Sequence, residues 1–354
     1  MKRQLMLIAT LAMLALTACE KTPEPEPTGD TLGQNLLVLN EGVWGGNNAS
    51  LTRIGADGVD PDWFSTVNHR GLGDVAQDLV LHDNHAYITV WGSGSLEAIS
   101  LPDGHSTRVD LGKRGPRYMA IDGGKLYITC YNPHSVVRVD LATLEVEAEC
   151  LLGGYNPEGI AAVGGRLYVA SDNIADSNGL YRYDNLLYVV DQATFRVVDS
   201  IVVGVNPQKV LRVDDQTLVV NYLGQWNTTT YATEGEGSAV VDLATHTVRP
   251  TGQALTNMTV AGGTIYGYVR SYESQGPATR YVAIDPQTLD VSTILPGCTV
   301  DQPYAIDVSA DRQHFYIASD GERIVDGDLY SYRPDGTLEG RSEVGMLPSK
   351  VVQY

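Results

Sequence analysis

Apolar residues along the chain fall in short bursts rather than in helical stripes. Between Pro116 and Leu152 three apolar runs, Tyr118 to Ile121, Leu126 to Thr129 and Val136 to Val139, precede an alternating run from Glu145 to Glu147. Turn residues such as Gly123-Gly124 separate them, which predicts a four-stranded antiparallel meander with strands a to d.

One such sheet cannot bury both of its faces, so a stable chain must repeat it. The pattern recurs seven times. Strand b with its aromatic returns as Tyr87, Tyr168, Tyr266 and Tyr316, and without one as Leu36-Leu37-Val38 and Leu218-Val219-Val220. The c to d turn reads Asp140-Leu141-Ala142-Thr143, Asp191-Gln192-Ala193-Thr194, Asp242-Leu243-Ala244-Thr245 and Asp285-Pro286-Gln287-Thr288. Asp57-Gly58, Asp103-Gly104 and Asp335-Gly336 fill the other three units, residues that suit tight turns.

The first unit runs through Leu36 to Leu39, Ser50 to Ile54 and the Phe64 to Val67 run, but has no strand a. The end of the chain, Leu347-Pro348-Ser349-Lys350-Val351-Val352, matches the strand a opening Pro207-Gln208-Lys209-Val210-Leu211. An all-β, seven-bladed β-propeller follows, closed when the C-terminal strand completes blade 1 and so removes the open sheet edges.

In such a ring the a–b and c–d turns share one face, and the b–c loops and d–a links share the other. The first face is uniform and the second irregular. Its b–c loops carry Trp44 and Asn47, Trp91, Tyr131, Tyr183, Trp226 with Tyr231, Tyr272, and the stretch from Asp320 to Asp326. Aromatics among Asn, Ser and Gly suit a binding face, and uneven loops on a regular scaffold are where function concentrates. Aligning the units on strand b places Gln77, Arg117, Glu158, Gln208, Thr256, Tyr304 and Ser349 in a ring around the channel mouth on that face. The ligand-contact residues expected here are Trp44, Asn47, Trp91, Arg117, Tyr131, Glu158, Tyr183, Gln208, Trp226 and Tyr304, the aromatics packing and the others hydrogen-bonding.

The N-terminus changes the setting. Met1-Lys2-Arg3, an apolar run from Leu5 to Leu16 and then Thr17-Ala18-Cys19 read as an export leader, too short to span a bilayer. Leu16-Thr17-Ala18-Cys19 resembles a bacterial lipobox, which implies cleavage after Ala18 and acylation of Cys19. The Glu20 to Pro27 stretch alternates Pro and Glu without core-forming residues, an extended tether. The domains are therefore 1–18 leader, 19–34 lipidated cysteine and tether, and 35–354 propeller. A formal charge of −19 argues against nucleic acid and anionic lipid surfaces as partners, leaving the membrane to the anchor. Cys130 and Cys150 fall on strands b and d of one blade, about 9.6 Å apart by strand spacing and outside disulfide reach.

The blade pattern Leu126-Tyr127-Ile128-Thr129 with Ser135 to Thr143 resembles the YncE-like, surface-layer-type seven-bladed propellers over nearly the whole mature chain. The opening Asn40-Glu41-Gly42-Val43-Trp44-Gly45-Gly46-Asn47-Asn48-Ala49-Ser50-Leu51 is similar to the first blade of the BtuG family, propeller lipoproteins of gut Bacteroidetes. With the acidic tether this resemblance implies an outer-membrane, surface-exposed lipoprotein. It would bind cobalamin or another corrinoid and hand it to a TonB-dependent transporter. An anchor facing the periplasm is the alternative location.

Other chemistry leaves little trace. Ser309-Ala310-Asp311 lacks the remainder of a sialidase Asp-box, and four tryptophans cannot supply one per blade for a quinone enzyme. His82 and His85 form a lone pair in an a–b turn, with no further metal ligand placed nearby. Glu158, Asp172, Asp176, Glu234, Glu236, Glu273, Asp320 and Glu322 read as a solvated acidic rim. The expectation is a monomeric binding protein with no cofactor, no metal and no turnover. The rivals are a protein-docking or glycan-binding scaffold in an uptake complex, and a propeller hydrolase or lyase centred on Glu158.

Overall fold

The computed structural model describes residues 32–33, 35–175, 181–270, 279–300 and 302–354. The leader, Cys19, the tether up to Thr31, Asp176, Tyr272 and Glu273 lie outside the described residues.

Seven four-stranded antiparallel sheets form a β-propeller. In blade 3 strand a is Pro116–Asp122, b is Lys125–Cys130, c is Ser135–Asp140 and d is Val146–Leu151, paired in the order d-c-b-a. Blade 1 takes strands b to d from Leu36–Asn40, Ser50–Gly55 and Gly58–Asp60, and strand a from Pro348–Gln353 at the other end of the chain. Leu37 pairs with Val352 and Val38 with Val351, so the ring closes as the repeat requires. Among the described residues no helix is long and apolar enough to cross a membrane.

Burial explains why the strands read as they do. Each blade is covered on both faces by its neighbours, so inner strands carry continuous apolar runs rather than alternation. Strand b of blade 1 is buried at all five positions, whereas strand d of blade 4 (Arg196–Val202) is exposed at all but Ile201. Side chains of adjacent blades interlock, as where Tyr127, Val136 and Cys150 of blade 3 pack on Ile160, Leu167 and Tyr188 of blade 4. Cys130 and Cys150 are buried thiols with strand c between them, and Cys298 is half-buried.

Two local readings need correction. The Phe64 to Val67 run is no strand: Trp63–Asn68 forms a short helix, α1, ended by His69 in the left-handed region at φ 52°. Strand d of blade 1 is the three-residue segment after Asp57, and α1 instead inserts Trp63 and Phe64 among Leu37, Leu51 and Leu72. An apolar run this short does not distinguish the helical period from the extended one. In blade 4 the expected loop is largely strand, because b runs on through Arg166–Ala175 and pairs with Tyr181–Tyr183.

Candidate functional site

The inner strands of the blades share a device that builds the channel mouth. In six of them the pairing with strand b slips near the start of strand a, leaving an extra residue. Such a bulge re-aims side chains out of the ladder. The extra residues are Gln77, Ser349 and Tyr304 in blades 2, 1 and 7, and the doublets Arg117-Tyr118, Glu158-Gly159 and Gln208-Lys209 in blades 3, 4 and 5. In blade 6 the pairing from Asn257 to Ala261 is unbroken. Side chains on strand b repair the lost bonds: Thr129 Oγ1 accepts from Tyr118 N at 2.9 Å, and Asn221 Oδ1 accepts from Lys209 N at 2.8 Å. Gly159 is required here, since a Cβ would sit 2.5 Å from the Gln208 carbonyl oxygen of the next blade.

These positions surround a cavity of about 360 Å³. Of the expected ring, Gln77, Arg117, Gln208, Thr256, Tyr304 and Ser349 line it. Glu158 does not. It is 2% exposed and sits behind Arg117, whose Nη2 donates to its two carboxylate oxygens at 3.0 and 2.8 Å. The Tyr131 hydroxyl also donates to Glu158, and Arg117 Nη1 donates to Gln77 Oε1. Glu158 thus lies behind the lining and holds Arg117, which itself reaches the cavity.

Arg117 anchors an aromatic ladder leading out to the surface. Its guanidinium lies 4.7 Å from the Tyr131 ring centre and 5.6 Å from that of Trp91. Trp91 meets Tyr131 edge-on at 6.0 Å and packs against Trp44 at 4.5 Å, and Trp44 is 67% exposed. The loop presenting Trp44 is held from below: Gly45 N donates to Asp74 at 3.0 and 3.1 Å, and Val43 N donates to Asn48 Oδ1 at 2.9 Å. Asn47 is exposed at the same tip. Tyr183, 41% exposed, and Trp226, 53% exposed, stand on hairpin segments outside the cavity lining; Trp226 belongs to Gln225–Asn227 paired with Ala232–Glu234.

Several lining groups escaped the sequence reading. Glu41 accepts from the Tyr304 hydroxyl, and burial raises its pKa above the usual carboxylate value. Lys350 Nζ donates to Asp78 Oδ1 at 2.7 Å, and Lys209 Nζ donates to Asn257 Oδ1 at 2.9 Å. Burial pulls the Lys209 ammonium down to about 8. The missed signal was the doublet: two successive polar residues at the start of a strand, as in Gln77-Asp78, Gln208-Lys209, Thr256-Asn257 and Ser349-Lys350, where alternation predicts one.

The acidic rim also differs from its expected form. Glu234, Glu236 and Glu322 are exposed, but Asp320 is buried and caps a short 3-10 turn by accepting from Glu322 N. Asp172 is half-buried, and burial with the nearby Glu158 charge pushes its pKa up to about 6. His134 packs 4.3 Å from Tyr155 and burial lowers its pKa, which favours the neutral ring. Among the described residues no cluster of three or more His, Cys, Asp or Glu is placed to hold a metal ion.

No protein-family model and no curated protein matches the chain. Solved structures do. The chain is similar to Kuenenia stuttgartiensis hydrazine synthase at 18% identity, with a TM-score of 0.58 over 75% of this chain and 85% of that one. A chain of the mitotic checkpoint complex aligns at 9% identity, TM-score 0.59, covering 92% and 99%. The dihydro-heme d1 dehydrogenase NirN aligns at 14%, TM-score 0.52, covering 93% and 78%. At these identities the likenesses establish the propeller scaffold and nothing of its chemistry.

Proposed function

We propose that this protein is a lipid-anchored binding propeller that takes a corrinoid, cobalamin foremost, on its loop-rich face and passes it to an outer-membrane TonB-dependent transporter. The supporting observation is the ladder from exposed Trp44 through Trp91 and Tyr131 to Arg117, at the rim of a polar cavity. Small-molecule sites run from roughly 300 to 1,000 Å³, so a cavity of about 360 Å³ admits one appended group of so broad a ligand. The ring itself would lie across the aromatic rim. Loops tied down by Asp74 and Asn48 lower the ordering cost of binding. The lipobox-like Leu16 to Cys19 and the BtuG-like opening around Trp44 support the location and the ligand class.

The test is calorimetric titration of the leaderless chain with cyanocobalamin. Saturable one-to-one binding, weakened by Trp44→Ala, is the expected outcome. No heat at high micromolar ligand would remove corrinoids and leave a binding propeller of another specificity. A second reading, docking of a partner protein, is favoured by the exposed Leu223, Trp226 and Tyr231 around the blade 5 hairpin. Shortening that hairpin would then abolish transporter co-purification without changing ligand titration.

A further inference from the structure

The charge of the cavity runs opposite to the charge of the chain. Asp and Glu outnumber Lys and Arg by 43 to 24 overall. Among the cavity-lining residues the cations Arg117, Lys209, Arg270, Arg323 and Lys350 face only two carboxylates, Glu41 and Asp78. Those carboxylates are already engaged. Asp78 accepts from Lys350 and from Met119 N, and Glu41 accepts from Tyr304.

Lys209 differs from Arg117, Arg323 and Lys350, while Arg270 Nη2 donates to Gln302 Oε1 at 2.8 Å. Arg117 has Glu158, Arg323 has Asp320 at 3.5 Å, and Lys350 has Asp78. Lys209 forms no ion pair with any described carboxylate; Asp307 and Asp78 act on it only at longer range, opposed by the Lys350 charge, and Asp307 itself accepts from Val351 N at 2.8 Å. An ammonium offers three donors, and the one described bond, to Asn257 Oδ1, uses one of them. Burying a cation without a counter-charge is costly, and a low-dielectric cleft of one sign concentrates ions of the other.

We propose that the floor of this cavity is an oxyanion site, in which Lys209 supplies the missing partner for a carboxylate or phosphate group of the ligand. Arg323, at the rim over Tyr304, steers the group inward. The inference rests on the loop-rich face being the ligand face, and not on the ligand being a corrinoid. It predicts that any ligand reaching the floor carries a small anionic arm.

The experiment titrates the leaderless chain with inorganic phosphate and, separately, with acetate, at constant ionic strength in chloride. Selectively 15N-labelled lysine reports on the side chains. Saturable binding of either anion with movement of one lysine Nζ signal supports the site. Tighter phosphate assigns a phosphate arm, and tighter acetate a carboxylate arm. Lys209→Met should weaken the bound anion about tenfold or more, as expected for one charge-assisted bond, with circular dichroism unchanged. Arg323→Gln, an exposed substitution that spares the fold, should slow binding and weaken it severalfold, and decides the matter should Lys209→Met not fold. Neither anion saturating, or undiminished binding in the variants, overturns the inference. Cyanocobalamin binding without anion binding would overturn this site alone, and anion binding without cyanocobalamin binding would overturn the corrinoid reading alone.

Discussion

The two faces of the ring use the same acidic residues to opposite ends. On the turn face Asp140 accepts from Ala142 N and Thr143 N, both at 2.9 Å, and Asp242 and Asp285 repeat the arrangement. Hydrogen bonds from Lys125 and Thr143 bring the Asp140 carboxyl down to about 2, and turn bonds likewise lower those of Asp191, Asp242 and Asp285. On the loop face burial raises Glu41, Asp172 and Asp184 instead. The turn face uses water-exposed carboxylates to fix a repeated backbone. The loop face withdraws them from water, Glu41 and Asp184 holding the tyrosines Tyr304 and Tyr188 and the buried Glu158 holding Arg117, a cost that proteins concentrate at functional sites.

The largest effect should come from the most buried of these pairs. Arg117→Ala leaves the Glu158 carboxylate enclosed without its cation and should cost about 3–5 kcal/mol in chemical denaturation. The double variant Arg117→Ala with Glu158→Ala should recover part of that loss. A cost for the double variant equal to the sum of the Arg117→Ala and Glu158→Ala costs would mean the pair is not coupled, and the two faces would then differ less than the geometry indicates. Next in size is Trp44→Ala. Removing an exposed aromatic anchor should leave stability within about 0.5 kcal/mol and weaken the ligand by about 2 kcal/mol, close to thirtyfold. Calorimetry and denaturation on one preparation separate the two.

The contrast also divides what the sequence discloses from what it conceals. Blade number, strand order and closure by Pro348–Gln353 were legible, because a turn satisfied by its own Asp is a local event written in local residues. The bulged ring could be counted out by alignment, so Arg117, Gln208 and Tyr304 were placed at the cavity in advance. Lys209 and Lys350 were missed because one residue of bulge reverses which side chain faces the channel, and alternation alone hides that slip. The burial of Glu158 depends on Arg117 of the preceding blade, 41 residues earlier, and no local pattern encodes it. Helix α1 was misread for the opposite reason: its two buried aromatics satisfy either period.

Smaller effects sharpen the comparison through pH. Asp172 has a folded pKa of about 6 against an ordinary value of 3.8, so the native state binds the extra proton between those values. Stability from this group is present below pH about 4 and is lost as pH rises through about 6. Asp172→Asn should flatten that decline and be the more stable form at pH 7, by about 1–2 kcal/mol once screening at a partly exposed carboxyl is allowed for. The same slope in both proteins would show that Asp172 is hydrated in solution.

Asp242 supplies the opposite sign at the other face. Its side-chain and backbone bonds from Thr245 and its bond from Ala244 N favour the charged form and lower its pKa, so its contribution is present above the ordinary carboxylate range and fades as pH falls through the folded value. Because its bonds lie within its own turn at the surface, Asp242→Ala should lower the thermal midpoint at pH 7 by only about one or two degrees, with a smaller difference in acid. Measured together, the two variants should diverge in acid and at neutrality: one turn carboxylate stabilising when charged, one loop carboxylate stabilising when protonated. Parallel pH profiles would mean that both faces present their acids to water alike, and the loop face would lose its distinction as the place where charge is withheld from solvent.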